Sequence, residues 1–295
     1  MRATTPTKTA SIDRAGVRIH YEVYDNEGPT LLLVPPSPIT HSRIYKAQIP
    51  YLARHFRVVT FDGRGNGRSG RPEGIEVHTR DENVADLMTV LERTGTEEAV
   101  LVAHCHANWW ALEAASRHPD RVIGLVAIEP GIPYLGEPQP HWREAGAAWD
   151  QILESPDGWQ LFNRHAIENR HRDWIEFFFE AQLVEPHSSK AFEDAVGWAM
   201  ESTGRILADS EEAQEMGAPT ADEIRAIIAG LDIPVLVIHG DRDVCQHVTK
   251  GRELAALTGG QLVEMAGSGH LALARDPVPV NLAIKDFVYQ KWRLP

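Results

Sequence analysis

The stretch Ala99-Val-Leu-Val-Ala-His-Cys-His-Ala-Asn-Trp-Trp-Ala-Leu-Glu-Ala-Ala115 decides the fold. Its first five residues predict a buried strand, and a segment that favours helix follows at once. Cys105 lies at the junction, with Ala103 two residues before it and Ala107 two residues after it. A nucleophile on a tight strand-to-helix turn needs small residues at these two positions, because larger ones would keep the helix off the sheet. The stretch therefore predicts that Cys105 is a nucleophile on such a turn.

Short apolar runs of the same kind recur along the rest of the chain. They are rich in Val, Leu and Ile, which is typical of strands buried on both faces of a parallel sheet. Helical stretches at 81–94 and 107–118 separate several of them. This alternation predicts an α/β fold, with a mostly parallel central sheet flanked by helices. The predicted strands are 30–34, 58–61, 99–103, 122–128 and 235–238, and the alternating segment 17–24 predicts an antiparallel edge strand.

The alternation breaks between residues 128 and 235. Residues 141–216 are helical in composition, with almost no candidate strand, and prolines and glycines mark the two ends of the segment. A helical insert between two strands of a parallel sheet is typical of a cap domain. We therefore expect a core of residues 1–133 and 219–295 with a helical cap at 134–218. The insert carries five of the chain's eight tryptophans: Trp142, Trp149, Trp159, Trp174 and Trp198.

Composition limits the partners and the compartment of the chain. Its 295 residues carry 29 basic and 42 acidic side chains, a net charge of −13 that repels nucleic acid. The N-terminus lacks the pattern of a signal peptide, and every apolar run is far below the roughly 20 residues that span a membrane. Two cysteines are too few for a disulfide scaffold, so we expect a cytoplasmic protein with reduced thiols. Cys245 is interpreted as a small buried apolar residue.

Two later segments carry the residue types that a nucleophilic cysteine needs. An apolar strand ends in Gly240-Asp-Arg-Asp243, and the loop Gly267-Ser-Gly-His270 precedes a helix predicted at 278–289. Together with the Cys105 turn, these motifs resemble the α/β-hydrolase fold, in the version with a helical cap after the sixth strand. The resemblance implies a triad in the family's order of nucleophile, acid and histidine, formed by Cys105, Asp243 and His270.

A second carboxylate competes for the role of triad acid. Glu129 ends the strand that follows the Cys105 turn, and some members of the family take their acid from that strand end. Asp243 is the favoured residue, and Asp241 is expected to shape the turn. The other interpretation of Glu129 is a polar residue at the cap hinge or in the pocket wall.

The resemblance also implies an oxyanion hole made of two backbone N–H groups. One belongs to His106, directly after the nucleophile. The other comes from the loop after the third strand, which commonly begins His-Gly in the family but reads Pro35-Pro-Ser-Pro38 here. Since proline has no N–H, Ser37 is the one donor among these four residues. The alternative is a proline-rich turn with a purely structural role.

Two apparent cofactor motifs have simpler explanations. The segment Asp62-Gly-Arg-Gly-Asn-Gly-Arg-Ser-Gly70 contains a G-x-G-x-x-G pattern, but Arg71-Pro72 follows where a dinucleotide-binding helix should begin. It matches a structural loop of the α/β-hydrolases. His104 and His106 flank Cys105, yet alternate residues leaving a strand point to opposite faces, so we expect no metal site there. The sequence thus predicts no cofactor and no metal.

A cysteine nucleophile narrows the chemistry. The N-terminus of a helix and a neighbouring imidazolium both lower the pKa of a thiol, which favours a thiolate–imidazolium pair of Cys105 and His270. Such a pair would cleave an ester, lactone or thioester through an acyl-cysteine. Dehalogenation and epoxide opening in this fold use an aspartate nucleophile, which Cys105 argues against.

Two other functions stay open at this point. An acyl-cysteine can also pass its acyl group to an alcohol or amine, which would make the protein an acyltransferase or cyclase. A catalytically silent fold that binds a small molecule is the second alternative. In each case the expected partner is a small, largely apolar acyl compound, and the expected pocket residues are Trp109, Trp110, Trp142 and Trp174.

Overall fold

The computed structural model describes residues 4–185 and 189–292. Eight strands of these ranges form one sheet: β1 (Lys8–Arg14), β2 (Val17–Tyr24), β3 (Thr30–Val34), β4 (Arg57–Asp62), β5 (Ala99–His104), β6 (Val122–Ile128), β7 (Val235–Gly240) and β8 (Gln261–Met265). Their spatial order is β1-β2-β4-β3-β5-β6-β7-β8. Strand β2 is antiparallel to both of its neighbours, and all the other pairs are parallel. The predicted α/β architecture with a mostly parallel sheet is confirmed.

Helices connect the parallel strands. Those of the described ranges are α1 (Ile49–Leu52), α2 (Arg80–Arg93), α3 (Ala107–Arg117), α4 (Pro140–Ala147), α5 (Arg164–Asn169), α6 (His171–Gln182), α7 (Lys190–Ala199), α8 (Gly204–Glu215), α9 (Ala221–Ala229), α10 (Thr249–Thr258), α11 (Ala272–Arg275) and α12 (Pro277–Trp292). Over the same residues, every helix is too short or too polar to cross a membrane.

The two outermost strands were not predicted from the sequence. β1 pairs along its whole length with β2, so β1 is the edge strand and the predicted edge position of β2 is wrong. In β1 only Ile12 is buried, and in β8 only Met265 is buried. An edge strand buries few side chains, and both segments therefore lack the apolar run that identified the inner strands.

The inner strands separate two hydrophobic clusters. In β3 every residue is buried, with Leu31 and Leu33 in one cluster and Leu32 and Val34 in the other. This division follows from the alternation of side chains along a strand. Because both faces are covered, the central strands consist of continuous apolar runs.

The described part of the segment between β6 and β7 contains helices joined by loops and no strand. Helices α4 to α9 lie in it, and residues 186–188 fall outside the described residues. Leu161, Trp174 and Phe178 from this segment share a hydrophobic cluster with Leu33 and Val102 of the sheet. The segment therefore belongs to one of the two apolar clusters that the sheet separates. The domain boundaries at 133/134 and 218/219 stay a prediction.

The glycine-rich loop after β4 is tied together by its own polar groups. The Oδ2 of Asp62 accepts the N–H of Arg68 at 2.9 Å, and the hydroxyl of Ser69 donates to the carbonyl of Asp62 at 2.5 Å. The Arg64 side chain is 1% exposed and forms an ion pair with Asp86, with 2.7 Å between Nε and Oδ2. These bonds give the loop a structural role.

Candidate active site

Cys105 lies on a strained turn between β5 and α3. Its φ angle is 53°, in the left-handed region that side chains disfavour. Ala103 and Ala107 are completely buried on either side of it. Gly131 packs against the same turn, since a Cβ on Gly131 would lie 2.8 Å from the backbone nitrogen of His106. The small residues on which the sequence prediction rests are thus the ones that let the turn close.

His270 and Asp243 meet beside this turn. The Nδ1 of His270 lies 2.7 Å from Oδ2 of Asp243, and both side chains are buried. Asp243 follows β7 and His270 follows β8, so both come from the carboxyl edge of the sheet where β5 delivers Cys105. A carboxylate in contact with Nδ1 fixes the tautomer of the imidazole and leaves its other nitrogen for a reacting group.

Further groups hold the Asp243 carboxylate in place. Its Oδ1 accepts the backbone N–H groups of Cys245 and Gln246 at 2.7 and 2.8 Å, and its Oδ2 also lies 3.2 Å from Nε2 of His239. Burial alone would raise the pKa of Asp243, but the charge of His270 and the bonds from both histidines lower it to about 2. Asp243 is therefore ionised at neutral pH.

Cys105 has a second thiol beside it. The Sγ atoms of Cys105 and Cys245 and one ring nitrogen of His270 all lie within 4.8 Å of one another. A hydrogen bond from the Cys245 thiol, followed by the charge of His270, holds the pKa of Cys105 well below its ordinary value despite burial. Burial and the neighbouring Cys105 raise the pKa of Cys245. The pair therefore consists of a thiolate-forming Cys105 and a protonated Cys245.

The pKa of His270 is raised, which complements the lowered pKa of Cys105. Burial lowers the His270 pKa, but the charges of Asp243 and Cys105 and the hydrogen bonds to both groups outweigh it. The His106 ring lies on another side of the thiol, with 3.9 Å between its Nδ1 and the Sγ of Cys105. The electrostatics favour a thiolate–imidazolium pair.

Glu129, the alternative acid, binds a different histidine. Its Oε2 lies 2.9 Å from Nε2 of His104, and its Oε1 accepts the N–H of Ala272 at 3.0 Å. Burial raises the pKa of Glu129 well above its ordinary value, and burial lowers that of His104 to about 4. The geometry thus brings Asp243, and not Glu129, into hydrogen-bonding contact with the His270 ring.

The two predicted oxyanion donors are placed differently. His106 is the N-cap residue of α3 and lines the cavity above Cys105. The N–H of Ser37 instead donates to the carbonyl of Pro35 at 2.9 Å, and its side chain packs against Gly63. Pro36, Ile39 and Thr40 line the cavity and Ser37 does not. The structure therefore does not bring Ser37 to the nucleophile, because a tight turn between prolines uses its N–H internally.

A cavity of about 260 Å³ lies over Cys105 and His270. Trp109, Trp142 and Trp174 line it, together with Phe178 and other apolar residues of α5, α6 and α8. Trp110 is not among the residues that line the cavity; like Trp109 it belongs to the second hydrophobic cluster, and its ring lies edge-on to that of His106, with 5.9 Å between the centroids. The polar groups of the cavity include Gln139, Gln214, Gln246, Glu211 and Lys250.

Two groups of potential metal ligands occur in the described part of the chain. Cys105, Cys245 and His270 form one, and His104, Glu129 and His270 form the other. The expectation of no metal rested on the His104-Cys-His106 segment and on the absence of Cys-x-x-Cys and His-Glu-x-x-His motifs, and such local patterns do not reveal side chains that converge from separate segments. Hydrogen bonds between Asp243 and His270, and between Glu129 and His104, already involve members of both groups.

Cys245, His239 and Lys250 are site residues that the sequence analysis missed. His239 lies on β7, Cys245 lies in the loop after it, and Lys250 lies in the first turn of α10, so all three come from β7 or the segment that follows it, close to Asp243. That position is itself a signal, because side chains at the carboxyl end of a parallel strand collect at one edge of the sheet. Cys245 was interpreted as an apolar core residue, yet its thiol faces the nucleophile.

Comparison with known proteins identifies the family to which this fold belongs. A family model described as alpha/beta hydrolase fold matches residues 29–277. Epoxide hydrolase 1 of Caenorhabditis elegans is 24% identical over 296 residues, covering 92% of this chain and 68% of the relative. Proline iminopeptidase of Neisseria meningitidis serogroup A is 25% identical over 250 residues, 78% of either chain. The enol-lactonase from Burkholderia xenovorans LB400 has a similar fold, with a TM-score of 0.73, 20% identity and coverage of 95% and 99%.

Proposed function

The chain belongs to the α/β-hydrolase fold family, and on that basis we propose that it hydrolyses a carboxylic ester, lactone or thioester through an acyl intermediate on Cys105. The observation that carries the proposal is the convergence of a thiol of lowered pKa, an imidazole and a buried carboxylate at one edge of the sheet. Each group comes from the end of a different strand of the rigid sheet, and rigid placement of this kind is what nucleophilic catalysis needs.

The proposed reaction begins with attack of the Cys105 thiolate on the acyl carbonyl. The N–H of His106 stabilises the developing oxyanion, aided by its place at the first turn of α3. His270 then gives its proton to the leaving group, and a thioester remains on Cys105. In the second half, His270 takes a proton from water, and the hydroxide attacks the thioester carbonyl. The C–S bond then breaks, the carboxylic acid leaves, and the thiolate–imidazolium pair is restored. Asp243 keeps Nδ1 of His270 protonated throughout.

The epoxide hydrolase relative suggests a different substrate, which the nucleophile argues against. Attack of a thiolate on an epoxide carbon would leave an alkyl thioether on Cys105. Water does not cleave a thioether under mild conditions, whereas it does cleave the ester that a carboxylate nucleophile would form. Turnover through Cys105 therefore requires a substrate whose carbonyl carbon is attacked.

The cavity supports a small and mostly apolar acyl group. Its volume of about 260 Å³ is at the low end for ligand sites, and Trp142 and Trp174 of the helical segment form part of its wall. Lys250 brings a cation to the same cavity, with its Nζ 3.2 Å from the carbonyl of Ile132. We propose that the substrate presents its polar end on the Lys250 side.

The test is a series of p-nitrophenyl esters of increasing chain length, with mass spectrometry of the quenched protein. The hydrolase proposal predicts a burst, an acyl adduct on Cys105 and steady turnover. Cys105→Ala removes the adduct, and His270→Ala leaves Cys105 unreactive at neutral pH. Arg252→Ala is the matched control: it breaks an ion pair with Glu264 on the surface, away from the cavity, and should leave the adduct and the turnover unchanged.

Other results would favour the two alternatives. A stable adduct that water releases slowly, but that an added alcohol or amine releases quickly, would identify an acyltransferase or cyclase. Ligand binding without any adduct, and unaffected by Cys105→Ala, would identify a binding protein and overturn the proposal.

A further inference from the structure

The chain's two cysteines meet in one cavity. Cys105 is 7% exposed and Cys245 is 2% exposed, and both line the space that opens above His270. Their Sγ atoms lie within 4.8 Å of each other and of one His270 nitrogen. Since Cys105 follows β5 and Cys245 follows β7, the fold itself brings them together.

Cys245 is held in this position by several bonds. Its backbone N–H donates to Oδ1 of Asp243 at 2.7 Å, and its carbonyl accepts the indole N–H of Trp142 at 2.7 Å. The Gln246 amide nitrogen lies 3.7 Å from its sulfur. These contacts fix the loop and direct the thiol towards Cys105. A hydrolysis that proceeds through one thiol has no chemical step for a second one.

We propose that Cys105 and Cys245 form a site of reversible oxidation by small hydroperoxides, in which Cys105 reacts with the peroxide and Cys245 closes a disulfide. The oxidised form lacks a free thiol at position 105 and is therefore inactive until a dithiol reduces it. The oxidation itself needs only the two thiols and His270, whereas the loss of activity rests on the proposed hydrolysis through Cys105.

The disulfide forms in two steps, through a sulfenic acid on Cys105. The Cys105 thiolate attacks the outer oxygen of the hydroperoxide, so that an S–O bond forms and the O–O bond breaks. The alkoxide takes the proton of the His270 imidazolium, sulfur loses two electrons and the peroxide gains them. Neutral His270 then accepts the Cys245 proton. The Cys245 thiolate attacks the sulfenic sulfur, and hydroxide leaves as water with that proton.

Burial selects the oxidant and protects the intermediate. A cavity of about 260 Å³ admits hydrogen peroxide or a short alkyl hydroperoxide, while thiols so little exposed are out of reach of another protein's disulfide. A disulfide needs its sulfur atoms about 2 Å apart, so one side chain must rotate to complete the bond. With Cys245 present, the sulfenic acid is converted to the disulfide before a second peroxide arrives.

The experiment treats the reduced 295-residue chain with hydrogen peroxide and follows its intact mass and its non-reduced peptides. We expect a loss of two hydrogen atoms, a cross-linked peptide pair that contains Cys105 and Cys245, and complete reversal by dithiothreitol. In Cys245→Ser no cross-link can form. Cys105 then gains two oxygen atoms as the sulfinic acid, and dithiothreitol does not reverse this change.

Three outcomes would overturn the proposal. One is sulfinic acid on Cys105 of the unaltered chain at the dose that produces it in Cys245→Ser. The second is a disulfide between two copies of the chain. The third is no mass change at doses that oxidise free cysteine. Circular dichroism of Cys245→Ser and Cys105→Ser establishes that the variants are folded. Because the readout is mass, failure here is distinguishable from failure of the ester assay.

Discussion

The Nε2 of His104 lies 2.9 Å from Oε2 of Glu129, and both side chains are fully buried next to the proposed triad. This pair explains why a carboxylate at the end of β6 is not free to orient His270. One carboxylate oxygen of Glu129 contacts His104 and the other accepts the N–H of Ala272, while Asp243 contacts the His270 ring. Two carboxylates therefore lie near one base, and hydrogen bonding distinguishes their roles.

Exchange of each carboxylate for its amide should separate these roles. Asp243→Asn places an amide against Nδ1 of His270 and no longer enforces the right tautomer, so kcat should fall by about 10³–10⁴-fold. Glu129→Gln keeps an acceptor for Ala272, and it should cost about 1–3 kcal/mol of stability with kcat close to that of the unaltered protein. Equal losses of kcat in the two variants would contradict this assignment. Steady-state kinetics and urea denaturation provide the measurements.

The Cys245 thiol should set the pH at which Cys105 reacts. Cys105 attacks as a thiolate, so acylation increases as pH rises through its pKa, which Cys245 lowers by donating a hydrogen bond. Cys245→Ala should move this limb of the profile to higher pH, and Cys245→Ser, which keeps a donor, should move it less. The rate of alkylation by iodoacetamide as a function of pH measures the shift. An unmoved profile in Cys245→Ala would refute the predicted hydrogen bond.

His104 should make the protein sensitive to mild acid. Its pKa is lowered from 6.5 to about 4 in the folded state, first by burial and then by the charge of His270. The unfolded chain therefore binds more protons, and stability is complete above pH 6.5 but declines as pH falls towards 4, by up to about 3 kcal/mol. In His104→Gln the part of the acid sensitivity that comes from protonation of His104 should be lost. The urea midpoints of both proteins at about pH 7.5 and pH 5 measure the loss of stability. An equal drop in midpoint in the two proteins would exclude His104 as its source.

The loop that carries His270 should not tolerate a side chain at Gly269. A Cβ there would lie 2.3 Å from the carbonyl oxygen of Gln182, the last residue of α6, and that carbonyl also accepts the His270 N–H at 3.3 Å. Gly269→Ala should therefore destabilise the protein by about 1–3 kcal/mol and displace the base. Gly197→Ala in α7 is the matched control, because nothing lies within 4 Å of its Cβ position. This control substitution should increase the free energy of unfolding by about 0.5–1 kcal/mol and so raise the melting temperature slightly. If Gly269→Ala is as stable as this control, the prediction that the loop packs too closely for a side chain at position 269 is wrong.

The accuracy of the sequence predictions follows the strength of local constraints. The turn at Cys105 could be predicted because its steric demand shows as two alanines at fixed spacing. The edge strands β1 and β8 could not, since edge positions impose little apolar pattern. The bond from the Ser37 N–H to Pro35 could not be predicted, because position in the loop does not reveal it, and the role of Ser37 as an oxyanion donor stays a prediction. The position of Cys245 beside Cys105 depends on the tertiary structure, and the sequence around Cys245 does not indicate which residue its thiol will contact.

The order of the elements along the chain has a consequence for the newly made protein. Cys105 and its turn belong to the first half of the sequence, whereas Asp243, Cys245 and His270 follow only after the helical segment. Two of the groups that lower the Cys105 pKa, Cys245 and His270, are thus synthesised last. Until β7 and β8 join the sheet, the thiol lacks these two groups, and an ordinary thiol pKa of about 8.5 leaves it mostly protonated. A ribosome-bound chain therefore carries a cysteine of ordinary reactivity, and the thiolate-forming site is complete only when the last strands join the sheet.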